Sequence, residues 1–367
     1  MRILIGADLV PTESNFEYFK SGDTDTLLGK ELKSILDGGD LRIFNLEVPL
    51  TDTFSPIAKC GPNLIAPTDT VAGYKSVGAD LLTMANNHIM DQGEQGLVST
   101  VKLLEDNGIA YLGAGANLSE ARKPYIINDG DRKIGIYACA EHEFSIATEN
   151  KAGANPFDAL ESPDHIANLK SECDYVIVLY HGGKEHYRYP SPNLQKICRK
   201  LCEKGADLVV CQHSHCIGCE EKVGDATVVY GQGNFLFDHS KSEFWQTSLL
   251  IEVDTDNNEI KYIPLRKDGF KVRVAEDGEE ILKQFEKRTS EIKDASFVEG
   301  EYRKFASRMK KNYLMTVCGT NIFYRVLNKL SGYKLKYNIP KKRELAIKNY
   351  LDCEAHNELF SKSLEDN

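Results

Sequence analysis

The sequence predicts an α/β fold, and three observations carry that prediction. Apolar, β-branched runs alternate with segments of helical periodicity up to about residue 265. Five of these runs end on a residue able to bind a metal or move a proton. Closely spaced runs then finish the region as a hairpin would. Short β-branched runs of this kind form buried strands, and ligands of open α/β sheets gather beyond the carboxyl ends of such strands. One oxygen- and imidazole-rich site assembled from five strand ends is the expectation.

In chain order, Ile3-Leu4-Ile5 leads to Asp8, and residues 30–36 then have helical spacing. The run 41–46 leads to Glu47, and the run 81–85 leads to Asn86, Asn87 and His88. Residues 94–107 are helical and end at Gly108, while the strand 133–140 precedes His142. Residues 175–180 lead to His181, and 193–204 form a helix stopped by Gly205, as glycine stops helices. Residues 208–211 lead to His213 and His215. Strands follow at 227–230, 248–253 and 260–264, with Asp256-Asn257-Asn258 as a turn, so a hairpin on an otherwise mixed sheet is expected.

The strongest local signal is Gln212-His213-Ser214-His215. Two histidines two apart share a side if the strand continues; in a turn they diverge toward two adjacent ions. Asn87 offers a neutral oxygen ligand, and His88 beside it can stay off the metal as general acid or base. Asp91 either orients His88 or caps the helix starting near Gly93. Asp8 and Glu47 are the anionic ligands, and a carboxylate shared by two ions holds them about 3.5 to 4 Å apart. His181 is followed by two glycines, with Glu185 and His186 as candidate substrate contacts. His142 is a candidate sixth contributor, and His239 a candidate for the pocket wall.

The 367 residues allow two or three domains, and 41% hydrophobic with 27% charged residues marks a globular protein. A net charge of −10 argues against a general nucleic-acid binder. No apolar run reaches the roughly 18 to 20 residues that span a membrane, and the strand-like start after Arg2 is no signal-peptide core. A cytoplasmic placement, with peripheral membrane contact open, is expected. The ten scattered cysteines, with Cys216 and Cys219 as the one CxxC pair, read as reduced structural thiols. After Asp268 the composition changes, dividing the chain into a domain over 1–268 and a basic, mainly helical extension over 269–367. Twelve Lys or Arg residues lie from Arg303 to Arg343 without one Asp or Glu, interleaved with Tyr313, Phe323, Tyr324, Tyr333 and Tyr337. That extension either binds a polyanion or a membrane surface, or docks on an acidic core.

The motifs as a set resemble the bacterial capsule synthesis protein CapA family, also called the poly-γ-glutamate biosynthesis family, a branch of the calcineurin-like metallophosphoesterases. The resemblance covers about residues 3 to 265. It rests on Asn45-Leu46-Glu47-Val48-Pro49-Leu50-Thr51, Ala85-Asn86-Asn87-His88 with Asp91 and Gly93, and Gly113-Ala114-Gly115. It continues through His181-Gly182-Gly183-Lys184-Glu185, Gly205-Ala206-Asp207, Gln212-His213-Ser214-His215 and Gly233-Asn234-Phe235-Leu236-Phe237-Asp238. It implies a two-sheet α/β sandwich flanked by helices, with two divalent ions (Mn, Fe or Zn) at the strand ends. Asp8 and His215 would bind one ion, Asn87, His181 and His213 the other, and Glu47 would bridge them. His88 would be the general acid, with Asn86, Asn234 and Asp238 at the rim or behind the ligands.

The sequence departs from the pattern where related phosphoesterases read Asp-x-His, for here the stretch is Asp8-Leu9-Val10. The first ion is therefore expected to bind weakly, or to recruit His142 or a water. The resemblance implies metal-assisted hydrolysis of a phosphorylated or anionic, polymer-related substrate. Its rivals are a non-catalytic metal-binding accessory of capsule assembly, working with other assembly proteins, and cleavage of γ-glutamyl or other capsular polymer bonds.

Overall fold

The computed structural model describes every residue except 320, 321, 333, 334, 336–338, 353–355 and 358–367. Tyr333, Lys334, Lys336, Tyr337 and Cys353 thus lie outside the described residues. Sixteen strands are described: β1 (Arg2–Val10), β2 (Leu41–Asn45), β3 (Leu81–Thr83), β4 (Ala110–Leu112), β5 (Ala114–Gly115), β6 (Tyr125–Asp129), β7 (Arg132–Ala140), β8 (Gly153–Ala154), β9 (Tyr175–His181), β10 (Leu208–Gln212), β11 (Glu220–Val223), β12 (Ala226–Tyr230), β13 (Leu236–Phe237), β14 (Thr247–Asp254), β15 (Glu259–Asp268) and β16 (Lys271–Val274). The α-helices are α1 (Phe16–Ser21), α2 (Thr24–Asp37), α3 (Val71–Val77), α4 (Gly93–Asp106), α5 (Leu118–Ala121), α6 (Ser162–Glu172), α7 (Pro192–Glu203), α8 (Gly278–Glu291), α9 (Ala295–Cys318), α10 (Ile322–Leu330) and α11 (Lys341–Asp352).

Two sheets stack face to face. One runs β16-β15-β14-β1-β2-β3-β4, with β13 also pairing β1; the other runs β11-β12-β10-β9-β7-β6. Their central strands are parallel, as is the edge strand β4, while β14 to β16 join the first sheet antiparallel and β6 and β11 the second. Alternate residues of each central strand serve two cores, which is why the runs read as continuously apolar. Ile3, Ile5 and Ile43 of the first sheet meet Ile136, Ile177 and Val210 of the second between the sheets. Leu4 and Phe44 face outward onto Leu27, Leu32 and Tyr74 of α2 and α3. Val176 and Val178 face outward onto Leu169, Leu194 and Cys198 of α6 and α7. The expected two-sheet sandwich flanked by helices is the observed architecture.

Local signals explain the helix ends. The Ser191 hydroxyl accepts from the Leu194 N–H, Pro192 occupies the first turn of α7, and Gly205 follows at a φ of 113°. The hairpin β14–β15 turns through Asn258 at a φ of 58°. By contrast β12, which continues the run of closely spaced strands, belongs to the second sheet and pairs parallel with β10. The described cysteines carry free thiols, and Cys216 and Cys219 are buried.

By its internal contacts the chain divides into two compact units, Met1–Gly300 and Glu301–Asn367. The composition changes at residue 268, but α8 beyond it buries Ile281 and Phe285 against Ile217 and Leu249 of the first unit. Arg288 Nε of α8 also donates to the Gly218 carbonyl at 2.6 Å. Within the second unit, Lys310 of α9 pairs with Glu344 of α11, and Lys311 Nζ donates to Asn328 Oδ1 of α10 at 2.7 Å. Among the described residues no helix is long and apolar enough to cross a membrane.

Candidate metal centre

The parallel strands β1, β2, β3, β9 and β10 deliver their side chains to one place. Asp8 lies within β1, Glu47 two residues past β2, Asn87 and His88 past β3, His181 at the end of β9, and His213 and His215 just past β10. All are buried, and Asp8 and Glu47 are completely so. Among the described residues, two groups have ligand atoms close enough to share an ion: Glu47, His181 and His213, and Asp8, Glu47 and His215. Glu47 is common to both.

The first group converges on His181 Nε2. Asn87 Oδ1 and His213 Nδ1 each lie 3.1 Å from it, and Glu47 Oε1 lies at 3.2 Å. Donors about 3 Å apart are what ligands on one ion with bonds of about 2.1 Å show. In the second group His215 Nδ1 stands 3.4 Å from Asp8 Oδ2. Asn45, at the end of β2, braces both groups from behind. Its Nδ2 donates to Asp8 Oδ1 at 2.7 Å and lies 3.3 Å from His181 Nδ1.

His213 and His215 do not share a strand face. Their φ angles are 81° and 54°, and His186 sits at 57°. Left-handed backbone at non-glycine residues costs about 1 to 3 kcal/mol each and clusters at functional sites. The turn sends one ring toward His181 and the other toward Asp8, the diverging arrangement that a two-residue spacing leaves open.

Whether a cation suits the centre is decided by its orphaned atoms. Asp8 Oδ2 and both Glu47 carboxylate oxygens are buried without a hydrogen-bond partner. A buried anion left unsatisfied is strongly destabilising, and carboxylate, amide and imidazole donors together suit a divalent cation. The residues present fit such an ion.

The charges agree. Burial pushes the Asp8 carboxyl up, and neighbouring Glu47 adds to the rise. Burial also opposes charge on Glu47, but the His181 and His215 cations outweigh it and hold Glu47 below the usual carboxylate range. Burial depresses His213, which His181 and His215 depress further. His181 is raised despite burial, by Glu47 and Asp8. His215 likewise rises to about 9 against burial, through Asp8 and Glu47. Without an ion the carboxylates therefore hold protons on His181 and His215.

Beside the ligands, His88 Nδ1 lies 2.5 Å from Asp91 Oδ2. Asp91 caps nothing: the N-cap of α4 is Gln92, without a side-chain cap. Its carboxylate instead accepts from the Leu64 N–H at 2.6 Å and pairs with Lys59, whose ammonium is 3.2 Å from His88 Nδ1. The Lys59 and Asp91 side chains are only 2% and 0% exposed. Lys59 arrives from the otherwise exposed loop around Phe54, Pro56 and Cys60. Breaking a buried pair by removing one partner costs about 3 to 5 kcal/mol, but this loop can lift and hydrate Asp91 instead. Lys59→Met is thus expected to speed proteolysis within residues 52–63 more than it lowers the urea midpoint. Wild-type cleavage rates in that segment would refute the strut.

The remaining candidates fall around the centre. Asn86 is consumed by its turn, donating to Asn45 Oδ1 and the Leu46 carbonyl while accepting from the His88 and Ile89 N–H groups. Asn234 Oδ1 faces His215 Nδ1 at 2.9 Å. Trp245 Nε1 donates to His186 Nε2 at 2.8 Å, and its ring lies 4.3 Å from that of His215. Glu185 Oε1 is 4.0 Å from His213 Nε2. Asp238 accepts from Ser14 and Lys267, and with His239, Phe237 and Leu64 it lines a cleft of about 630 Å³.

One expectation is corrected. His142 is exposed, lines another cavity with Asp158 and Lys196, and belongs to neither ligand group. Its neighbour Glu143 approaches instead, accepting from Asn87 Nδ2 at 3.2 Å. The position two after Asp8 is filled by buried Val10, which pairs with Phe237, so nothing replaces the histidine there. Sequence reasoning passed over Asn45, which the strand-end rule that found Glu47 would also have flagged. It passed over Lys59 as well, for which no local signal exists.

Known proteins bear on this geometry as follows. The profile of the family described as bacterial capsule synthesis protein PGA_cap matches residues 5–239. The chain is 27% identical over 239 residues to the capsule biosynthesis protein CapA of Bacillus anthracis, covering 62% of this chain and 58% of that one. It is 27% identical over 222 residues to the PGA biosynthesis protein CapA of Bacillus subtilis, covering 56% and 58%. The alignments thus span under two thirds of either relative. A solved phosphatase from Mycoplasma pneumoniae overlaps at 16% identity and a TM-score of 0.44, over 73% of this chain and 94% of that one, too loosely to carry an argument.

Proposed function

Because the chain belongs to the bacterial capsule synthesis protein family, we propose that it is a metal-dependent, phosphoesterase-like hydrolase serving capsule or exopolymer synthesis. One observation carries the reading: three orphaned carboxylate oxygens of Asp8 and Glu47, buried among three histidines. Glu47, His181 and His213, with Asn87, would hold one divalent ion, and Asp8, Glu47 and His215 a second, of Mn, Fe or Zn. Such ions supply Lewis-acid polarisation and a nucleophile at neutral pH.

The chain's own residues supply the rest. His88, its Nδ1 held by Asp91, keeps Nε2 to protonate a leaving oxygen. Asn45 fixes the backs of Asp8 and His181. The cleft of about 630 Å³ beside Phe237 is the proposed seat of a phosphorylated or anionic substrate.

His88→Ala tests this. It is expected to keep the metal while losing about 10²- to 10⁴-fold in turnover of a phosphomonoester or phosphodiester; unchanged turnover sinks the assignment. The second reading, a metal-binding accessory of polymer assembly, is favoured by Val10, which leaves the Asp8 and His215 group one imidazole short. On that reading the metal-loaded wild type is silent on both substrate classes.

A further inference from the structure

The helix α10 is turned the wrong way round for a soluble domain. Its residues Ile322, Phe323, Val326, Leu327 and Leu330 are 51 to 78% exposed, whereas its one buried residue is Asn328. At 100° per residue those five form a continuous stripe. Asn328, tied to Lys311 of α9, lies on the opposite side. An exposed apolar stripe of this kind marks an interaction surface.

Its surroundings say what the surface meets. Arg325 and Lys329 edge the stripe and are exposed, as are Lys341, Lys342 and Arg343 in the first turn of α11. From Arg303 to Arg343 there is no acidic residue, although the chain carries −10 overall. A soluble polyanion would answer the cations but leave the stripe in water. A second copy would cover the stripe but oppose like charges. An anionic bilayer surface answers both, since basic amphipathic helices lie in its interface with their apolar face in the acyl boundary.

We propose that α10 is an interfacial membrane helix, seating its stripe in an anionic lipid surface while Arg325 and Lys329 meet lipid phosphates. This is independent of the metal-centre reading, because no residue is shared.

Flotation of the full chain with lipid vesicles tests it. The chain is expected to float with phosphatidylglycerol–phosphatidylcholine vesicles and only weakly with phosphatidylcholine alone, and added salt should release it. Phe323→Ser with Leu327→Ser should weaken flotation at least about tenfold, and Lys329→Gln by about fivefold. Because these side chains are exposed, circular dichroism and bound metal should stay at wild-type levels. The proposal is overturned if the chain does not float, or if the Phe323→Ser/Leu327→Ser variant floats as wild type does. Two further results would replace the bilayer with another occupant: poly-γ-glutamate binding without flotation, or a dimer lost in that variant without flotation.

Discussion

Glu47→Gln is expected to cost more than about a hundredfold in divalent-metal affinity, leaving the purified protein nearly metal-free by elemental analysis. Loss of an outer-shell partner alone costs about 10- to 100-fold, and Glu47 belongs to both ligand groups. Glutamine keeps the shape but removes the charge that opposes His181 and His215. The loss should fall on binding, and the metal-free fold also loses the charge that supports the His181 and His215 cations. Glu185→Gln is the control, since that side chain is 43% exposed and only grazes His213 at 4.0 Å. Wild-type metal content in Glu47→Gln would remove Glu47 from the centre.

What the sequence made legible here, and what it hid, follows from how far apart the partners lie. Asp8, His181 and His213 could be found because each lies on or just past the end of a buried apolar run, and burial on both faces makes such runs continuous. The same rule misplaced His142. Ala140 stands in register with His181, so His142 is two residues beyond the strand end, where the chain has already turned outward. Pairing partners are another blind spot: β12 has the same composition whether it joins β10 or the hairpin. Lys59 meets Asp91 across 32 residues from a polar loop, and long-range pairing of that kind leaves no periodic trace. The composition break at residue 268 misses α8 because a mostly charged helix needs only Ile281 and Phe285 to dock.

The largest pH effect should appear in how strongly the metal stabilises the fold. His215 rises from an ordinary 6.5 to about 9 in the metal-free protein. A histidine raised by folding contributes stability that is complete below its unfolded value and lost as pH climbs through its folded value. The metal-free protein should therefore lose up to about 3 kcal/mol between pH 6.5 and about 9 from this group. His181, raised by Glu47 and Asp8, works in the same direction. An ion needs the imidazoles neutral, so below about pH 9 it must displace the proton on His215, and affinity climbs with pH. Both effects widen the gap in Tm between metal-loaded and metal-free protein as pH rises, and the gap should level off near pH 9. A gap that stayed flat from pH 6.5 to 9, or narrowed, would mean that no ion competes with protons at His215 and His181. The two buried carboxylates would then be balanced by imidazolium alone, and the centre would be an ion-pair cluster with no metal to bind.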